Sequence, residues 1–285
     1  MQVLTKEYND YLKKLDFNVS VFEDTLRQCT ANGAYSAKTR DLIENGAHYY
    51  VDGNKLFDDA DAIRNNDMSI EFINSGTCSA AYWFAMLGNV YRVAMLDFAD
   101  AKRPGGWPDY GAPTQEEDMC RCTNMYLALA SKTSAKHYYT PNNPLGVEDH
   151  LDEAYTDRMI YLRNVTILKS DVDYNNVDPV DVDVIVSPAP CGKVPGVESI
   201  IYNRAKGILK TAYVNGADCL ILGAWGCGAF GQNPKVVARC FANALRELPL
   251  FKKVVFAFRP TAKPTPDKRS TKKIFEREFR RVYGN

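Results

Sequence analysis

Apolar residues come in two rhythms along this chain. Short unbroken runs, at Tyr91–Phe98 (YRVAMLDF), Asp183–Ser187 (DVIVS), Asp218–Leu222 and Val254–Phe258 (VVFAF), read as strands buried on both faces. Between them the apolar positions fall three and four apart. Gln115–Ala130 carries them at 119, 122, 126 and 129, and Val197–Val214 carries Ile200, Ile201, Ile208, Leu209 and Ala212. Val236, Val237, Cys240, Phe241, Ala244, Leu245 and Leu248 form one face of a further helix, with Pro234 in its first turn. Ser270 and Thr271 would cap a last helix whose Phe275, Phe279 and Val282 share a face. Residues 1–65 are polar and read as helical or irregular. Strands alternating with helices predict an α/β fold with helices on both faces of a sheet. Sites in such folds lie beyond the carboxyl ends of the strands.

Composition narrows this picture. The 285 residues suit one large domain, or one domain with an added helical segment, and 46% hydrophobic with 25% charged residues excludes a disordered chain. The formal net charge is zero, which argues against a dedicated duplex binder. The charge is uneven, however. Arg259–Asn285 holds nine Lys and Arg against three Asp and Glu, leaving a net charge of about −6 on residues 1–258. A docked helix with a solvated basic face is the expected reading of this tail, ahead of a patch that steers polyanions. No stretch reaches the roughly 18 to 20 apolar residues of a membrane span, and the N-terminus lacks the apolar core of a signal peptide. A soluble intracellular protein is expected, cytoplasmic, or nuclear in a eukaryotic host, with a monomer as the default. The eight cysteines form no CxxC pair, and His48, His137 and His150 complete no zinc spacing. The cysteines are therefore expected to be free and buried, with no metal and no cofactor.

Two glycine-bearing loops follow strands. The first runs from Gly105 to Glu117. Thr114 and Glu117 have the spacing of a capping box, and acids at a helix start are favourable, so a structural explanation of Glu116 and Glu117 is available. The loop also offers Gly105 and Gly106 for close backbone approach, and it is stiffened by Pro108 and Pro113. Two carboxylates on such a loop suit glycosidic cleavage, one as proton donor and one holding sugar hydroxyls. The helix dipole lowers a carboxylate pKa whereas a general acid needs it raised, so burial or like charge must win. The second loop, Gly223 to Pro234 (GAWGCGAFGQNP), carries Gly226, Gly228 and Gly231 in a GxGxxG pattern before a helix, which suits a diphosphate. No acid ends the next strand, so a nicotinamide dehydrogenase is disfavoured. Phe230 would either stack on a base or ribose or anchor the loop in the core. Cys227 has no histidine near it in sequence and reads as a small loop residue.

Together the two loops resemble the bacterial-type poly(ADP-ribose) glycohydrolase family, a branch of the macrodomain fold. Its signature is a glycine triplet followed a short loop later by Gln-Glu-Glu. This chain has Gly105-Gly106-Trp107, seven residues, then Gln115-Glu116-Glu117. The stretches EDTL (23–26), SGTCSAA (75–81), VAMLDFADAKRPGG (93–106), EEDMCR (116–121), LGAWGCGAFGQNP (222–234) and VVFAF (254–258) agree in order and spacing, over roughly residues 20–262. The resemblance implies a three-layer α/β/α mixed sheet over 66–285, with residues 1–65 as a helical extension packed on it. It implies Glu117 as the acid that protonates the leaving ribose oxygen and then activates water, and Glu116 as the acid that positions ribose hydroxyls. Gln115 would order the loop, and Gly105 and Gly106 would wrap the ligand. Gly226, Cys227, Gly228 and Ala229 would hold the diphosphate, Phe230 would pack on the adenine side, and Thr77 would line the adenosine end or cap its helix. The implied partners are poly(ADP-ribose) or an ADP-ribosylated protein, with ADP-ribose as product and no metal.

Two positions depart from the family. Trp107 stands where the third glycine is expected, filling part of the groove, packing over the ribose or redirecting the loop. Asp97 stands where Asn is usual, and is expected to point to solvent or to pair with Lys102 or Arg103. An ADP-ribose reader without turnover, a hydrolase of a mono-ADP-ribosyl linkage, and a nucleic-acid binder using the basic tail are the alternatives.

Overall fold

A computed structural model of the chain describes residues 2–88, 90–146, 152–260 and 270–284, without the side chains of residues 2–7. A long helix, α1 (Gln2–Cys29), and a short one, α2 (Ser36–Asp41), lead into the edge strand β1 (Ala47–Tyr50). Then come β2 (Ser69–Asn74), α3 (Thr77–Ala85), β3 (Val93–Phe98) and α4 (Gln115–Cys122). The short helices α5 (Tyr126–Leu129), α6 (Lys132–Ser134) and α7 (Thr140–Asn142) follow. The rest is β4 (Met159–Lys169), β5 (Asn176–Ser187), α8 (Val197–Val214), β6 (Cys219–Leu222), α9 (Pro234–Glu247), β7 (Lys253–Phe258) and α10 (Thr271–Tyr283).

The seven strands form one mixed sheet in the order β1-β4-β5-β3-β6-β7-β2. β1–β4 and β4–β5 are antiparallel, and the remaining pairs are parallel. Its two faces bury separate cores. Ala94 and Leu96 of β3 look toward α8, α9 and α10, while Val93 and Met95 look toward α3 and α4. The chain is thus an α/β protein with a three-layer, macrodomain-like mixed sheet. Phe275 and Phe279 dock α10 on the first core, and Ser270 caps it, its hydroxyl accepting from Lys273 N. Tail residues 261–269 and 285 lie outside the described residues, as does His150.

Three expectations need correction. The helix foreseen over 115–130 stops at Cys122. Thr123 is extended and bridges to Ile167, while Asn124 exchanges hydrogen bonds with Thr166 through its backbone N–H (3.2 Å) and its side-chain oxygen (2.9 Å). The edge of β4 captures these two residues, which favour helix interiors poorly. The foreseen strand at Asp183–Ser187 is only the last part of β5, the part that pairs with β3. Its first half pairs with β4 alone, and that one-sided pairing accommodates Pro179. Residues 1–65 are not all helical, because β1 completes one edge of the sheet.

Candidate active site

β3 is the central strand, and its carboxyl end carries the site. Gln115, the first residue of α4, locks onto that end. Its side-chain oxygen accepts from Phe98 N at 2.9 Å, and its nitrogen donates to Leu96 O at 2.8 Å and Thr77 Oγ1 at 3.2 Å. Glu116 and Glu117 therefore follow from a fixed point, and both are buried. Glu116 Oε2 accepts from Asp100 N at 2.7 Å. Glu117 Oε1 accepts from Trp107 N at 3.0 Å, and the Thr114 hydroxyl donates to its Oε2. The capping box is not formed: the Thr114 hydroxyl and Glu117 bond each other and the loop instead of the helix N–H groups.

The glycine loop wraps these carboxyls closely. Gly106 has φ +68°, and a Cβ built on it would lie 2.3 Å from Glu117 Oε1 and 3.3 Å from Glu116 Oε2. Gly105 beside it packs on Tyr126 and Cys120. Trp107 has φ −121°, so a bulky residue there requires no left-handed backbone. Its ring lies under the Arg103 guanidinium at 4.0 Å and edge-on to Tyr110 at 5.3 Å. Burial and the adjacent carboxyls of Asp97, Asp100 and Glu117 push Glu116 well above the usual carboxylate range. For Glu116, burial thus overrides the helix dipole.

Asp97 neither points to solvent nor pairs with Lys102 or Arg103. It is fully buried and faces Glu116. Lys102 bonds Glu153 at 2.7 Å, and Arg103 bonds Asp109 at 2.6 Å. The alternation along β3 explains this: residue 97 continues the Val93–Met95 face, which α4 covers.

The second loop leaves β6, the strand beside β3. Within it Cys227 N, Gly231 N and Gln232 N bond back to Ala224 O, Gly228 O and Gly226 O. The N–H groups of Gly228 and Ala229 take no acceptor among the described residues, and no atom would crowd a Cβ at Gly228. Burial pushes the Cys227 thiol up to about 12, so it is no nucleophile at neutral pH. Phe230 packs against the core, with its ring 6.1 Å from Tyr155. The loop is anchored by residues the sequence analysis did not single out. Trp225 is fully buried and donates to Ser187 O at 2.9 Å, and Gln232 donates to Pro190 O at 2.8 Å and Gly192 O at 3.1 Å.

A cavity of about 650 Å³ opens beside Gln115. Thr77, Phe98, Ala224, Phe258, Arg259 and Asp118 are among its walls. It joins the carboxyl ends of β2, β3, β6 and β7, where α/β folds bind ligands. Thr77 lines it and is not the cap of α3. Gly76 holds the cap position, and the Asp171 carboxylate accepts from Cys78 N at 3.0 Å and Ser79 N at 3.3 Å. Asp118 takes Arg259, Arg121 and the Tyr174 hydroxyl. Phe230, Glu116 and Glu117 are not in the cavity wall.

Comparison with known proteins gives this geometry a context. Residues 23–170 match the family described as microbial-type PARG, catalytic domain. The chain belongs to that family. Among solved structures, it is similar to the poly(ADP-ribose) glycohydrolase of Thermomonospora curvata, at 25% identity over 93% of this chain and 100% of that one, with a TM-score of 0.76. That enzyme is also known bound to the inhibitor ADP-HPD. The poly(ADP-ribose) glycohydrolase of Deinococcus radiodurans in complex with ADP-ribose matches at 29% identity over 86% of this chain and 98% of that one, with a TM-score of 0.73. No curated protein matches the chain significantly. As a microbial-type PARG the chain is a glycosidase, and its sheet with helices on both faces is that of the solved family structures. No helix among the described residues is long and apolar enough to cross a membrane.

Proposed function

We propose that the protein hydrolyses the ribose–ribose O-glycosidic bonds of poly(ADP-ribose) and releases ADP-ribose, with Glu117 as general acid and base. The observation that carries this reading is the fit of Gly106 against Glu117 and Glu116, where no side chain has room, together with the Trp107 N–H on Glu117. A loop so closely fitted holds two carboxyls side by side, which supports the division of labour that glycosidic cleavage uses.

In this reading the cavity at Thr77, Phe98 and Phe258 takes the adenosine end. The N–H groups of Gly228 and Ala229 take the diphosphate, with Gly226, Cys227 and Phe230 shaping the turn around them. The terminal ribose then reaches Glu116 and Glu117 under Gly105, Gly106 and Trp107. Glu117 gives its proton to the leaving ribose oxygen as the anomeric C–O bond breaks. A water adds to the oxocarbenium-like carbon and returns a proton to Glu117, which restores the acid. Glu116 accepts hydrogen bonds from ribose hydroxyls, and Gln115 keeps both acids in register with β3. The ADP-ribose and ADP-HPD complexes of the two solved relatives support the ligand class.

The test is digestion of labelled poly(ADP-ribose) by wild type and Glu117→Gln, with products separated by chromatography. Wild type is expected to release ADP-ribose, and Glu117→Gln to lose about 10²-fold or more in turnover, the usual worth of a positioned general acid, while still binding ADP-ribose by calorimetry. Intact polymer with wild type overturns the reading. ADP-ribose bound without turnover would then make the chain a reader, and release from a mono-ADP-ribosylated substrate a hydrolase of that linkage.

A further inference from the structure

Asp97 has a role that the proposed reaction does not use. Its side chain has no exposure, and among the described residues no N–H or O–H reaches either of its carboxyl oxygens. Glu116 Oε1 is in the same position: it is buried, and no N–H or O–H of the described residues reaches it. The two carboxyls are neighbours: Gln115 bonds Leu96 O and Phe98 N on either side of Asp97 at the end of β3, and Glu116 is the next residue of α4. Two ionised carboxylates cannot share a dry site, because each is a pure acceptor and their charges repel. One proton between them satisfies two of the three otherwise orphaned oxygens and removes one charge.

Among the described residues the titratable side chains that face the pair are acids, which favour keeping that proton, against the Asp100 N–H on Glu116 Oε2, which favours the ionised form. Glu117 and Cys120 face it from α4, Asp100 from the loop after β3, and Tyr138 and Tyr139 from the turn at 135–139. The hydroxyls of both tyrosines are themselves buried without partners among the described residues. Among the described residues the cations of this region act elsewhere, Arg121 on Asp118, Arg204 on Asp157, Arg103 on Asp109 and Lys102 on Glu153. Burial and these like charges push both Asp97 and Glu116 well above the usual carboxylate range.

We propose that Asp97 and Glu116 share one proton at neutral pH, so that Asp97 is a positioning residue that pins Glu116 beside the ribose site. The pair carries a single negative charge and one internal O–H···O hydrogen bond, while Glu116 Oε2 stays fixed on Asp100 N. Loss of the proton at alkaline pH leaves two adjacent buried charges, and Glu116 is driven from its place. The role of Glu116 rests on the glycohydrolase reading, whereas the shared proton does not.

The test separates the two. An infrared titration of wild type, Asp97→Asn and Glu116→Gln reads the carbonyl stretch of a protonated carboxylic acid without any substrate. Wild type is expected to show that band at neutral pH and to lose it as one proton on alkaline titration. Each protein is measured in a Glu117→Gln background, because the acid of the proposed reaction has a carbonyl stretch of its own; there Asp97→Asn and Glu116→Gln should both lack the band, because an amide N–H then supplies the hydrogen bond permanently. In parallel, the alkaline limb of the kcat profile should move up by about one pH unit or more in Asp97→Asn relative to wild type. Absence of the band in wild type overturns the shared proton, and so does its persistence in Asp97→Asn. An unmoved alkaline limb overturns the positioning role. Should Asp97→Asn fail to fold, the wild-type titration and the Glu116→Gln spectrum still decide. A wild type that shows the band but leaves polymer intact refutes the proposed function and not the pair.

Discussion

At the scale of single residues, Gly106 is the loop position that bears directly on the two carboxyls. Its φ of +68° and the 2.3 Å approach of a hypothetical Cβ to Glu117 Oε1 mean that any side chain both strains the backbone and displaces the carboxyl. Gly106→Ala is expected to lower kcat by about 10²-fold or more, the cost of misplacing a reacting group by roughly an ångström. The left-handed backbone itself costs only about 1–2 kcal/mol, so the protein should remain folded. Steady-state kinetics beside a thermal melt checks this, and normal turnover in a folded Gly106→Ala would contradict the wrapping described here. Trp107, one position on, shows the opposite. Its backbone needs nothing a bulky residue lacks, and its ring packs between Arg103 and Tyr110.

At the scale of elements, α3 depends on a residue distant in sequence. The Asp171 carboxylate, from the turn between β4 and β5, holds the first N–H groups of α3 and the Ser79 hydroxyl. Asp171→Ala should cost about 1–2 kcal/mol, the upper range for a lost helix cap, readable as a lower urea midpoint. Because Asp171 also lines the cavity with Thr77, the apparent affinity for ADP-ribose should fall with it. Such a cap was not legible in the sequence, where residues 78 and 171 share no motif. What was legible had a local cause. β3, β6, β7 and the end of β5 announced themselves as buried runs, α8 and α9 by their spacing, and the pairing of glycine loop with Gln-Glu-Glu by order alone, whereas the interior strand β4 escaped because Arg163 and Asn164 interrupt its apolar run. The edge strands Ala47–Tyr50 and Ser69–Asn74 escaped because half-buried residues leave no clean alternation. The helix at 115 was overrun because Met119 and Leu129 serve one core from either side of the break at Thr123. The orientation of Asp97 escaped too. Strand alternation assigns it a face, but only the covering by α4 makes that face dry.

At the scale of the whole molecule, the buried acids give stability an unusual pH term. Asp97 and Glu116 have folded-state pKa values above their ordinary 3.8 and 4.5, so folding takes up protons that the unfolded chain has released. Their contribution is fully present below those ordinary values and is lost as pH rises through the folded-state values. Asp24 and Asp59, held low by the Lys169 pair and the Lys206 and Lys210 pairs, run the other way: their contribution is present above 3.8 and lost toward acid. Urea midpoints across pH should therefore decline from neutral to alkaline in wild type, and decline less in Asp97→Asn. Parallel curves would place the alkaline loss elsewhere.

The hold of α1 on the loop has a consequence of another kind. Asn18 donates to Gly111 O at 2.8 Å, Gly111 packs against the Leu15 carbonyl, and Thr25 donates to Arg121 O at the end of α4. The loop that carries Trp107 is thus cast against a mould supplied by the first thirty residues. Anyone grafting this loop onto another scaffold, or permuting the chain to begin after α1, would transplant the signature without its mould. The motif is short in sequence, but as a transferable part it includes the helix that precedes it by some eighty positions.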